Sequence, residues 1–179
     1  MPFHCIEDIP LMKLFVVKNF SDEGRLVHDV VKHVLSIKRV GSIEEQKTPI
    51  HYDVFPNHRG TDVKNTLASH LYYRLRHHKL QVFFEKEEMQ KGSRINSVLE
   101  NAINFASIHI VIFSAGYAQS AWCMDELLLM ISSRSIIIRV FYNLNPTEML
   151  SNRVDGMNGV YVEALRLLEE EKTFDPQNH

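Results

Sequence analysis

The sequence predicts an α/β fold, a doubly wound parallel sheet covered by helices on both faces, and three observations lead there. From residue 51 onward, strand-like and helix-like patterns alternate with little between them. Two strand-like runs, 108–113 and 136–142, are near-continuous apolar stretches rich in β-branched residues, as expected of strands buried on both sides. The segments joining successive strands read as helices, and parallel strands need such right-handed crossovers.

Each element has its own warrant. Residues 52–55 read as the first strand. Val63, Leu67, Leu71 and Leu75 then recur every four residues, with Ala68 and Tyr72 widening an amphipathic stripe. Residues 80–84 read as the second strand, and 85–92 as a polar loop. Ile95, Val98, Leu99, Ala102, Ile103 and Ala106 follow the i, i+3, i+4, i+7, i+8 spacing of a helix. After the third strand, 108–113, Ser120 can cap a helix running to Ser132, and 136–142 is the fourth strand. The expected strand order is 2-1-3-4. Residues 1–50 are expected to form an extension: a strand at 11–17, an amphipathic helix marked by Leu26, Val27, Val30, Val31, Val34 and Leu35, and a polar linker. Residues 51–179 then form the main domain, ending in a charged helix at 160–171.

Composition excludes several classes. The chain has 179 residues, 45% hydrophobic and 23% charged, which suits a globular domain with a real core and not a disordered or low-complexity chain. No apolar stretch approaches the ~18 residues of a membrane span, and the first residues carry Glu7 and Asp8 without a basic leader. Neither a membrane helix nor export is expected. Cys5 and Cys123 lie far apart with no CxxC, so a disulfide framework or zinc site is not expected either. His70, His77 and His78 fall on a helix among arginines, without metal-ligand spacing. A net charge of −2 argues against a protein built to coat nucleic acid or an anionic membrane.

In a doubly wound sheet, ligands bind beyond the carboxyl ends of the strands where the strand order reverses, here between the first and third strands. The segments reaching that point are 56–60, 85–92 and 114–117. On the helix after Ser120 the apolar stripe is Met124, Leu127, Leu128 and Ile131, and Trp122 and Glu126 sit together roughly opposite it. One interpretation is a cleft wall, an aromatic plate beside a carboxylate near the positive end of a helix. Spacing by itself favours the plainer one, that an acid near a helix start is stable there without any ligand.

Six strings occur in order at characteristic intervals: Tyr52-Asp53-Val54-Phe55, His58-Arg59-Gly60-Thr61-Asp62, 83–92 ending Met89-Gln90-Lys91-Gly92, 114–117, Trp122-Cys123-Met124-Asp125-Glu126-Leu127, and Val140-Phe141-Tyr142 before Asn145-Pro146. Jointly they resemble a plant Toll/interleukin-1 receptor (TIR) domain of the disease-resistance or TIR-only type, over residues 51–176. The resemblance implies a flavodoxin-like fold and, for many plant members, cleavage of NAD at the nicotinamide-ribose bond. It selects Glu126 as the catalytic carboxylate over its neighbour Asp125. Asn57, Arg59, Gly60 and Trp122 become the expected nucleotide-binding residues, Arg59 against pyrophosphate, although a loop salt bridge would also account for that guanidinium. The resemblance makes 85–92 a mobile gating loop that contacts a neighbouring protomer.

The chain also departs from the family. Pro56 stands at the end of the first strand where an aliphatic residue is usual, Glu85 where Asp is common, and Arg139 where proline is frequent. The usual last strand and helix are absent after 171, and the strand and helix at 11–35 are candidates to replace them as a fifth strand beside 136–141, in a circular rearrangement. Two functions are expected from different classes. One is a cytoplasmic NAD nucleohydrolase of plant immunity, making ADP-ribose or cyclic ADP-ribose-type products, with NAD as substrate, no cofactor and no metal. The other is a non-catalytic assembly domain. Self-association and contacts with other TIR receptors are the expected partners, and nucleic acid as a second substrate stays open. A phosphate-accepting receiver domain is discounted, because 56–59 lacks the acidic cluster it needs.

Overall fold

Runs of β-branched residues build a parallel sheet in the computed structural model, which describes residues 14–17, 22–40, 51–83, 97–133 and 135–144. The loop at 85–92 with Gly92, and the helix expected at 160–171, lie outside the described residues. The strands are β1 (Leu14–Val17), β2 (Tyr52–His58), β3 (Ala106–Phe113) and β4 (Ile136–Tyr142), in the order β1-β4-β3-β2. Register sets Val54 opposite Ile108, Ile112 opposite Val140, and Leu14 opposite Arg139. On the outer side of β2, Val82 makes one parallel bridge to Val54. Across the sheet the 81–83 segment, β2, β3 and β4 therefore follow the expected 2-1-3-4 order. The N-terminal strand adds itself as the fifth position, paired in parallel with β4.

Alternation along β3 and β4 divides the core into two layers. Ile108, Ile110, Ile112, Ile138 and Val140 face α1 (Glu23–Val40) and the α2 (Gly60–Val63) to α3 (Ser69–His77) arm. Val111, Phe113, Ile137 and Phe141 face α4 (Ser97–Asn104) and α5 (Ala121–Ser132). α1 buries Val30 and Val34 completely, and Leu26, Val27, Val31 and Ile37 nearly so, in the same layer as Leu67, Leu71 and Leu75. Polar ties fix its ends. Glu23 Oε1 lies 2.7 Å from His70 Nδ1, Tyr142 donates its hydroxyl to Glu23 Oε2 at 3.1 Å, and Lys38 pairs with Asp53.

Four local expectations are corrected. The first strand does not stop at Phe55 but runs through Pro56 and Asn57 to His58. Val54 directs both its N–H and its carbonyl toward the 81–83 segment. Pro56, two residues on, points the same way, so its missing donor is lost from the outer edge and not from the β2–β3 ladder. Ala106 belongs to β3 and not to the preceding helix, because that helix closes with Phe105 N–H on Asn101 O at 2.9 Å. Val98 is 59% exposed, so the buried stripe of α4 narrows to Leu99, Ala102 and Ile103. The regular four-residue spacing at 63–75 is interrupted too. Lys64–Ala68 forms a wide turn between α2 and α3, with Thr66 at non-helical angles of φ −124° and ψ −111°.

Candidate functional site

The chain leaving β2 crosses to the α1 layer, whereas the chain leaving β3 crosses to the α5 layer. A crevice opens between them at the carboxyl ends of the two strands, the place that sheet topology assigns to ligands. Phe55, Pro56 and His58 of β2 form its floor. Gly60 and Lys64, Phe83 stacked on Phe55 with ring centroids 4.8 Å apart, and Trp122 and Glu126 of α5 complete the lining.

α5 begins where Ser120 caps it, its hydroxyl accepting from Cys123 N–H at 3.3 Å. Trp122 and Glu126, four residues apart, share one helix face, as their spacing predicts. The opposite stripe differs in part: Met124 and Leu127 are buried, but Cys123 and Met130 complete it, while Leu128 and Ile131 are only half-buried. Glu126 is 5% exposed, so the carboxylate forms a wall of the crevice and does not project into solvent. Its Oε2 accepts from Asn57 Nδ2 at 2.9 Å, and the same amide donates to Cys123 O at 3.2 Å. Tyr117 gives its hydroxyl to that carbonyl as well, at 3.2 Å. Trp122 Nε1 and His58 Nδ1 are buried with no hydrogen-bond partner among the described residues. Burial, assisted by the Lys64 charge and opposed by the Pro56 carbonyl, lowers the His58 pKa from 6.5 to about 4. Its imidazole is therefore neutral near pH 7.

Arg59 takes a different place. Its Nη1 donates to Asp62 Oδ1 at 3.2 Å, and it is absent from the crevice lining. Asp62 also accepts from Ser114 Oγ at 2.6 Å, Gly116 N–H at 3.0 Å and Thr61 Oγ1 at 3.1 Å. Burial pushes the Asp62 carboxyl up, but the hydrogen bonds from Ser114, Gly116 and Thr61, with the Arg59 charge, outweigh it and hold the pKa below the usual 3.8. This cluster pins the turn after β3 to the start of α2. A Cβ at Gly116 would fall 1.7 Å from Arg59 Nη1 and 2.9 Å from Asp62 Oδ2, so a side chain there would displace the guanidinium.

No group of three His, Cys, Asp or Glu side chains among the described residues can hold a metal ion. No helix among them is long and apolar enough to cross a membrane.

A family model described as the TIR domain matches residues 51–175. The chain belongs to the TIR domain family. A Brachypodium distachyon protein named "Probable 2' cyclic ADP-D-ribose synthase BdTIR" is 36% identical over 111 residues, which is 62% of this chain and 50% of that protein. "Disease resistance protein RPS6" of Arabidopsis thaliana is 35% identical over 102 residues, 55% of this chain and 9% of its own length. The TIR domains of the activated Roq1 resistosome, which directly recognizes the pathogen effector XopQ, superpose with a TM-score of 0.53 at 31% identity, over 66% of this chain and 70% of that one. The chain thus spans half of the first relative and a small fraction of the second.

Within this TIR domain the structure brings Glu126, Trp122 and Gly60 to one crevice, places Asn57 behind Glu126, bonded to it but outside the lining, and pairs Arg59 with Asp62. Sequence reasoning did not assign a role to His58, Lys64, Phe83 or the Asp62 hub. The Asp62 signal was legible in principle, because an acid in the first turn of a helix is favoured by the helix dipole. The juxtaposition of His58 with Glu126 was not, since it depends on the β2–β3 register.

Proposed function

We propose that this TIR domain is an NAD nucleohydrolase that breaks the bond between nicotinamide N1 and ribose C1′. The observation that carries the proposal is Glu126, a carboxylate buried beside Trp122 in the switch-point crevice and held by Asn57. Cyclic ADP-ribose synthesis in the name of the Brachypodium relative, and the disease-resistance names of others, support it.

The chemistry asks little of the protein. Nicotinamide departs neutral with the bonding electron pair, so no general acid is needed. The ribose becomes oxocarbenium-like, and a fixed negative charge beside C1′ lowers that barrier. Water then attacks C1′ and loses its proton to give ADP-ribose, or a hydroxyl of the same nucleotide attacks to give a cyclic product. Trp122 supplies an apolar plate for the nicotinamide ring. In this proposal NAD is a substrate and not a resident cofactor, the domain works in the cytoplasm, and it self-associates with other TIR domains.

Nicotinamide release by the purified protein, followed by chromatography at high NAD, tests the proposal. Glu126→Ala should lower turnover by ~10²- to 10³-fold, the usual loss for one such electrostatic group, and Asp125→Ala, at an exposed position, should change it little. Absence of release in the wild type would leave the non-catalytic assembly domain, and equal losses in the two variants would remove the assignment to Glu126.

A further inference from the structure

Asn57 is 1% exposed and lies on the α5 side of β2, with Phe55. Both hydrogens of its Nδ2 are committed, one to Glu126 Oε2 and the other to Cys123 O. The reversed amide would set a carbonyl oxygen against a carbonyl and a carboxylate, so the two acceptors fix its orientation. Tyr117 braces the same Cys123 carbonyl from the turn before α5. The Glu126 carboxylate is therefore tied to the end of β2 as well as carried by its own helix.

We propose that Asn57 is a positioning residue, a fixed donor that orients the Glu126 carboxylate and favours its ionised form, and is not a ligand of the nucleotide. This replaces the nucleotide-binding role that the family resemblance suggests for residue 57, and it rests on the reading of Glu126 as the catalytic carboxylate. A rigid donor costs nothing to reorganise when positive charge develops on the sugar, which is the condition for a large electrostatic effect. A hydrogen bond to a charged group is worth ~1.5–3 kcal/mol, equivalent to ~10- to 100-fold in rate.

Three variants separate this role from a packing role. Asn57→Leu keeps the volume without the donor, Asn57→Asp puts a second carboxyl against the first, and Asn57→Ser keeps a small donor. Among the described residues, the other titratable groups lining the crevice are His58 and Lys64, from β2 and the wide turn, and they are common to all variants. In Asn57→Leu, kcat should fall ~10- to 100-fold with KM little changed, and the acid limb of the kcat profile should move to higher pH. In Asn57→Asp the loss should be largest at pH 8 and shrink toward pH 5, because two adjacent carboxyls can share one proton. Asn57→Ser should retain more activity than either. Equal, pH-independent losses in all three would overturn the proposal, since misfolding or lost packing has no such pH signature.

A second measurement does not depend on turnover. With 13C-labelled glutamate and the Glu126 resonance assigned through Glu126→Gln, the carboxyl titration midpoint should lie higher in Asn57→Leu than in the wild type. An unchanged midpoint overturns the proposal even if the wild type releases no nicotinamide, a result that would by itself count only against the nucleohydrolase. If Asn57→Leu does not fold, the same comparison is made with Asn57→Ser, with the same expected direction.

Discussion

One fully buried and one half-buried imidazole should make this protein lose stability well above the pH at which carboxylates titrate. His109 is fully buried on β3, with Nε2 3.1 Å from Ser133 Oγ, and its ring sits edge-on to Phe55 with centroids 6.1 Å apart. Burial lowers its pKa from 6.5 to about 4, and His58 is lowered to about 4 as well. Between those two limits the unfolded chain binds protons that the folded chain refuses, so folding weakens as pH falls through 6.5, and the loss is complete near pH 4. Comparing pH 7 with pH 5, the linkage relation gives about 2 kcal/mol for each residue. Together that is a large part of the ~5–15 kcal/mol by which domains are stable. Urea unfolding at pH 7, 6 and 5 measures it directly, and His109→Gln should remove about half of the slope. A wild-type change below about 1 kcal/mol between pH 7 and 5, or an unaltered slope in His109→Gln, would refute the reasoning.

Two further perturbations test the fold and the Asp62 hub. Val30→Ala and Val34→Ala, at two fully buried positions of α1, should each cost about 1–3 kcal/mol and lower the main unfolding transition monitored by hydrogen exchange in β3 and β4; an N-terminal unit that unfolds separately would leave that transition in place. Gly116→Ala should cost about 1–2 kcal/mol through the clash with the Arg59 guanidinium, and less in an Arg59→Ala background, a non-additivity that a double-mutant cycle by thermal unfolding detects.

Much of this fold was legible because burial on two faces leaves a plain record in sequence. Residues 108–113 and 136–142 read as strands covered on both faces, and the latter boundaries match β4. The α1 stripe was equally readable, with Ile37 joining it and Leu35 only partly buried. Errors arose where one residue satisfies two patterns. Ala106 fits the end of a helical stripe and the start of a strand, and Pro56 reads as a stop unless the side of the strand that loses its donor is known. At the site, Trp122 and Glu126 were visible because four-residue spacing is local. The Asn57–Glu126 bond joins positions 69 apart, and only the assembled sheet, with α5 laid across it, brings them within reach.

The N-terminal strand joins the sheet without touching the crevice. β1 pairs with β4 at the edge of the sheet farthest from β2, so the element supplied from the N-terminus shares no residue with the Asn57, His58, Trp122 and Glu126 group. Its influence reaches that group through shared structure. β4 follows α5, and Val140 and Tyr142 of β4 lie in the layer that α1 seals. A parallel sheet leaves an unpaired edge exposed at a cost, and β1 satisfies the outward backbone donors and acceptors of β4. What the crevice requires is the β2–β3 register and a capped α5 lying over Phe113 and Phe141. Both are set by residues 52–142, and order at that distant edge holds β4, and through it the packing beneath α5, in place.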